Sequence, residues 1–332
     1  MPFLQGAKLK EVYRKAHTRG YGFVASNFAE PNVLIGLLEA AGETNSDLVL
    51  QMSHGAATFA GAGNPTRGLR SMVNYIRELA EDYQIGVFLN LDHITYDRLP
   101  FIKTAAEEGL ASSIMIDASK EPFSRNVKFT REVVELTAGS DILIEGELGK
   151  IKGIEDEDTQ SDEAFYTKPE EALEFVKKTG VDLLAISIGT QHGVSKGRDI
   201  TLDTDRAKQI NQALAGADLN VPLVLHGSSG LVKEQIEEIL EYGICKLNKD
   251  TRYQYEYART ALDFYNEHRA SILPPENVAD DREGFFASTD WSPNKSDFDP
   301  RVVSDLIRER IKITAKSLFK QAGSINRSLH KA

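Results

Sequence analysis

Residues 221–250 read VPLVLHGSSGLVKEQIEEILEYGICKLNKD, and this stretch decides the fold. An apolar, β-branched run, Val221–Gly227, leads through a glycine- and serine-rich turn into a segment where Val232, Ile236, Ile239 and Leu240 recur at helical spacing. A second strand-like run, Ile244–Asp250, follows at once. Short apolar runs alternating with helical segments are the signature of a parallel α/β fold.

Working outward, the same alternation gives candidate strands at Gly22–Asn27, Leu48–Met52, Gly86–His93, Ser112–Asp117, Ile142–Gly149 and Leu183–Gly189, eight in all with the two above. Leu34, Leu37, Leu38 and Ala41 mark one intervening helix, and Thr167 with Glu170 reads as a capping box with Pro169 in the first turn. Eight β/α units in succession predict a (β/α)8 barrel, while an open doubly wound sheet remains compatible because sequence shows neither closure nor strand order. Beyond the eighth strand a helix is expected from Thr251 to His268. An irregular loop follows at about residues 270–300, then a terminal helix at about 302–319 as a C-terminal helical extension. Residues 1–332 are read as a single domain, with no repeat beyond the β/α unit.

The formal charge of -11 argues against nucleic acid or an anionic membrane as partner, since both select basic surfaces. One cysteine, Cys245, excludes an internal disulfide and a cysteine-based structural zinc site; its simplest role is that of a small buried apolar residue. Residues 1–20 carry five basic side chains without an apolar stretch, and no run elsewhere approaches roughly 18 apolar residues, so a cytoplasmic protein is expected.

In β/α barrels the chemistry sits at the C-terminal ends of the strands. Here those ends carry Asn27, Ser53, Asp92 with His93, Asp117, Glu147, His192, His226, and Asn248 with Asp250. A lone histidine at a strand end is more often a hydrogen-bonded structural residue. Three of them, His93, His192 and His226, from strands three, six and seven, fit a catalytic metal site with an open position. The glycine turns at residues 189–193 and 226–230, with Lys196 and Thr251 nearby, fit an anion site, although glycine turns alone are weak evidence.

With these residues in place the sequence resembles the class II (zinc-dependent) fructose-bisphosphate aldolases. The matching blocks, in family order, are residues 51–56, 91–93, 115–117, 145–149, 189–196, 226–230 and 248–251, and the likeness extends through Phe298-Asp299-Pro300-Arg301. The resemblance implies a zinc ion on His93, His192 and His226, with Glu147 as a further or alternate ligand. It implies Asp92 as the acid–base group at the aldehyde oxygen, and Glu155 as the carboxylate that moves the proton on the donor ketose. Gly193, Lys196, Gly227, Ser229, Asp250 and Thr251 would hold the donor's phosphate, together with a monovalent cation (Na+ or K+). Asn248 would touch the enediolate, Ser53 would polarise substrate, and Arg301 would take the far phosphate.

The implied reaction is reversible cleavage of fructose 1,6-bisphosphate to dihydroxyacetone phosphate and glyceraldehyde 3-phosphate, a step of glycolysis and gluconeogenesis, by a homodimer or homotetramer. Tagatose 1,6-bisphosphate or another anionic ketose phosphate is the nearest alternative. A Schiff-base aldolase on Lys246 and a non-catalytic phosphosugar-binding barrel are the others. The sequence departs from the family at Lys249, where a large apolar residue is usual, at Arg252 in place of Asp, and at Ser195 in place of the common Tyr.

Overall fold

The computed structural model describes residues 3–149, 166–190 and 200–330. Eight parallel strands form a closed barrel: β1 Phe23–Asn27, β2 Leu48–Ser53, β3 Val87–Thr95, β4 Ser113–Asp117, β5 Leu143–Leu148, β6 Leu183–Ile186, β7 Leu223–Leu225 and β8 Ile244–Lys249. Closure is explicit in the register, where β8 pairs back onto β1 with Lys246 opposite Phe23 and Asn248 opposite Ala25. The open doubly wound alternative is thereby excluded.

Helices α1 Gly6–Arg19, α2 Pro31–Thr44, α3 His54–Ala60, α4 Pro65–Ala80, α5 Leu99–Glu107, α6 Phe123–Thr137, α7 Pro169–Thr179, α8 Thr204–Gly216 and α9 Lys233–Glu241 precede or follow the strands. Their starts are chemically marked: Pro31 and Pro65 occupy first turns, and Glu30 and Asn64 accept backbone N–H bonds that would otherwise be orphaned. The capping box expected at Thr167 is absent. Lys168 is the N-cap of α7, and the Thr167 hydroxyl is drawn inward, donating to the Leu148 carbonyl and accepting from Ser187 N–H.

Alternation along the strands builds two cores. Outward side chains such as Val24, Leu50, Leu89, Ile114, Leu184 and Leu247 pack beneath the helices. Inward side chains from the first half of the strands, among them Phe23, Val49, Phe88, Leu143, Leu183 and Val224, form a second cluster with Leu9, Val12, Tyr13 and Ala16 of α1. Helix α1 therefore plugs the N-terminal end of the barrel. Burying each large apolar side chain there contributes about 1.5–3 kcal/mol, which makes this end a stable floor beneath the mouth. Cys245 belongs to the floor and is fully buried, as its expected apolar role requires.

After β8, α10 Thr251–Glu267 and a one-turn helix, α11 Arg269–Ile272, lead into an irregular segment. Within the expected loop a short helix, α12 Lys295–Phe298, forms with Asn294 as its cap. The terminal helix α13 runs from Pro300 to Ala322, longer than expected at both ends, because Asp299 caps its N-terminus and Pro300 fits its first turn. No helix among the described residues is long and apolar enough to cross a membrane.

Candidate active site

Two breaks in strand alternation shape the barrel interior, one at the C-terminal mouth in β3 and one near the floor in β8. In β3, Leu91 pairs with Ile114 and Ile94 with Ile116, so Asp92 and His93 together face the single residue Met115. This is a β-bulge, and His93 pays for it with a left-handed backbone, φ 49°. Strict alternation would send neighbours to opposite faces, whereas the bulge delivers both side chains to one site. In β8 the register slips between Leu223 and Val224, so Cys245 is the extra residue; Ile244 joins the outer core while Cys245 turns inward.

His93 and His226 meet edge to face, with Nε2 of His93 3.0 Å from Nδ1 of His226. Each ring is oriented from behind by a carboxylate: Asp117 Oδ2 lies 3.0 Å from His93 Nδ1, and Glu145 Oε1 lies 2.9 Å from His226 Nε2. Such pairs orient the two rings, so that His93 Nε2 and His226 Nδ1 face one another and could both serve a metal. Glu145 is fully buried and is itself paired with the fully buried Lys246 at 2.7 Å. Lys246 thus faces inward as its strand position predicts, with its amine engaged by a carboxylate, which is unfavourable for a Schiff-base nucleophile.

Asp92 is nearly buried, accepting from Asn27 Nδ2 at 2.9 Å and Asn248 Nδ2 at 3.3 Å. Burial alone would raise its pKa, but the charges of His93, His226 and Lys246 and the Asn27 hydrogen bond hold it below the ordinary value. Asn27 is fixed in turn by Gln51, Gln51 by Asn90, and Asn90 by Ser113, a belt of hydrogen bonds of 2.6–2.8 Å across the interior. Burial opposes charge on His93, yet Asp92, Asp117 and Glu147 raise its pKa to about 10. Burial raises Glu147 to about 8, reinforced by Asp117 against the opposing charge of His93. Asp117 is lowered despite burial by its bonds to His93 and Ser119. A field that favours a positive charge on His93 also favours a divalent cation beside it. Two clusters offer donor atoms within 4.8 Å of one another, Asp92 with His93 and His226, and His93 with Asp117 and Glu147, so the donor set fits a borderline metal such as zinc.

Of the other expected residues, Ser53 caps α3 by accepting from Ala56 N–H at 3.1 Å and lines a cavity of about 480 Å³ with Asn27, Phe28, Phe59, Asp250 and Tyr253. Gly227 adopts the left-handed conformation, φ 62°, that starts the turn Ser228–Gly230. Ser229 stands half-buried in that turn, Asp250 accepts two 3.0 Å bonds from Gln254, and Thr251 opens α10. Arg301 is 84% exposed and bound by Asp299 at 2.6 Å, and it is not among the residues lining the cavity. Arg252 is half-exposed and paired with Glu256 at 2.8 Å. His192, Gly193, Lys196, Ser195 and Glu155 lie outside the described residues.

Sequence reasoning gave no role to Asn27, Asp117 and Glu145. The signal for Glu145 was present, since it lies two residues before Glu147 on the same inward face and charges an otherwise apolar run.

A closed parallel barrel whose C-terminal mouth gathers imidazoles, carboxylates and amides around one point defines a metal-dependent barrel enzyme. The sequence model described as fructose-bisphosphate aldolase class-II matches residues 7–327, so the chain belongs to the class II aldolase family, carbon–carbon lyases that act on phosphorylated sugars and depend on a metal. Fructose-bisphosphate aldolase (Fba) from Campylobacter jejuni is 26% identical, with a TM-score of 0.82 and coverage of 98% of this chain and 97% of that one. The YdjI aldolase from Escherichia coli K12, at 23% identity and a TM-score of 0.68, covers 96% of this chain and 98% of its own, a likeness of fold.

Proposed function

We propose that this chain is a cytoplasmic zinc enzyme that reversibly cleaves a ketose phosphate to dihydroxyacetone phosphate and an aldehyde, with fructose 1,6-bisphosphate as its first substrate. The observation that carries this reading is the convergence of His93, His226 and Asp92 on one point, with Asn27 and Asn248 bonded to Asp92. Zinc would be held by His93, His226 and His192, with Glu147 able to replace a ligand. Bound there, it supplies a Lewis acid for charge that develops on the ketone oxygen when the α-proton or the carbon–carbon bond is broken.

The protein's own residues do the rest. Asp92 takes the proton from the hydroxyl that becomes the aldehyde in cleavage, and returns it in condensation. Its ionised form is favoured by its neighbours, as a base requires. Asn27 and Asn248 hold its two oxygens. Asn248 Oδ1 is buried with no partner among the described residues, in keeping with a contact to substrate. Glu155 would carry the donor's proton, and Gly193, Lys196, Gly227, Ser229, Asp250 and Thr251 would form the phosphate site. A homodimer or homotetramer, a place in glycolysis and gluconeogenesis, and no nucleic-acid or membrane partner complete the proposal.

The exposure of Arg301 and its bond to Asp299 favour a second reading, in which the far end of the substrate carries no phosphate and the ketose is another monophosphate. Incubating zinc-loaded protein with fructose 1,6-bisphosphate and coupling triose phosphate release to NADH oxidation tests the first. Release from fructose 1,6-bisphosphate supports it. Release from a ketose 1-phosphate alone supports the second, and release from neither refutes both.

A further inference from the structure

Lys249 closes β8 between two residues of the site, Asn248 and Asp250. Its face of the strand is the outer one, shared with Leu247, where the barrel otherwise places apolar side chains. The lysine is 2% exposed, and its ammonium donates to the carbonyl of Ser228 in the turn after β7. Among the described residues no carboxylate forms an ion pair with it, whereas the neighbouring Arg252 is satisfied by Glu256. An ammonium buried against a single carbonyl oxygen is costly unless an anion completes its surroundings. Burial first, and then the charge of Arg252, pull its pKa down to about 7, so a neighbouring anion would favour its charged form.

Ser228 is tied to β8 twice. Its carbonyl accepts from Lys249, and its hydroxyl donates to the Asn248 carbonyl at 2.8 Å. The turn that follows Gly227 is therefore held against the strand that carries Asn248 and Asp250. A backbone carbonyl oxygen can also ligate Na+ or K+, and here the lysine occupies that oxygen.

We propose that Lys249 is a built-in counter-cation for the substrate's phosphate: it positions the Ser228–Gly230 turn and balances the phosphate charge, so that the site needs no monovalent cation from solution. This rests on the donor-site reading above and extends it to a residue outside the family pattern.

The test measures binding of dihydroxyacetone phosphate and of phosphate-free dihydroxyacetone to zinc-loaded protein by calorimetry, in choline chloride, potassium chloride and ammonium chloride at equal ionic strength. Wild-type protein should bind the phosphorylated ketone equally well in all three salts. Lys249→Met should bind it about 10–100-fold more weakly in choline chloride, the range of one charged hydrogen bond, and recover in part with K+ or NH4+. Lys249→Gln keeps a donor for Ser228 without the charge; it should behave like Lys249→Met, and it serves alone if the methionine variant does not fold. Binding of dihydroxyacetone should be unchanged throughout.

A glutamine variant equal to wild type, equal losses on both ketones, or a wild-type protein that itself needs K+ would each overturn the lysine's role while leaving the aldolase reading intact. Wild-type protein indifferent to the phosphate would overturn the donor-site reading, and the lysine's role with it.

Discussion

Nε2 of His93 and Nδ1 of His226 lie 3.0 Å apart, each ring held on its far side by a buried or half-buried carboxylate. Two imidazoles aimed at one another across so short a gap, with Asp92 beside them, fit a metal site. A single proton between them satisfies only part of what Asp117 and Glu145 have oriented. Replacing His226 by Ala should therefore abolish stoichiometric zinc binding, measured by plasma mass spectrometry after dialysis. A variant that kept its full complement of zinc would remove His226 from the ligand set.

The Glu145–Lys246 pair lies beneath that gap, fully buried at both ends. Glu145→Gln should lower zinc affinity by about 10–100-fold through loss of control over the His226 ring. It should also destabilise the fold by about 3–5 kcal/mol, because Lys246 is left as an uncompensated buried charge. Adding Lys246→Met to Glu145→Gln should restore part of the stability but not the zinc affinity. Denaturant unfolding and competitive zinc titration read the two effects separately, and restoration of both together would mean that the pair is only a packing element.

Asp92 combines burial, two amide donors and a depressed pKa, as a base held ionised should. Asp92→Ala should lower kcat by about 10²–10⁴-fold with little change in zinc content. Loss of zinc in proportion to activity would make Asp92 a ligand instead of the proton carrier.

Arg301 must leave Asp299 to grip a second phosphate. If it does, Arg301→Ala should reduce kcat/KM for fructose 1,6-bisphosphate by roughly 10–150-fold while leaving fructose 1-phosphate cleavage unaltered. Equal losses on both substrates would mean that the arginine serves the start of α13, and a wild-type preference for the monophosphate would mean that the far phosphate is not recognised.

How far the sequence could be read follows from where the chain obeys simple periodicity. Strand positions were legible because each inward–outward alternation is local, and β1 to β8 fall within a few residues of the expected runs. Closure was not, since only the pairing of β8 with β1 distinguishes a barrel from an open sheet. The bulge at Asp92 and His93 was likewise hidden, because it requires a left-handed backbone at a non-glycine residue, which is uncommon and which no local pattern marks here. The partnership of Glu145 with Lys246 joins residues 101 apart in the chain, and no local pattern announces it. Lys249 was visible as an odd residue, while its destination on Ser228 was not.

The central claim, that a divalent metal between these histidines carries the chemistry, is tested most directly by titrating activity against bound zinc. Protein stripped with EDTA should lose triose phosphate release in proportion to the zinc removed, and zinc or cobalt should restore it. Undiminished cleavage after exhaustive chelation, or a lysine adduct trapped by borohydride, would contradict the metal mechanism and return Lys246 to consideration as the nucleophile.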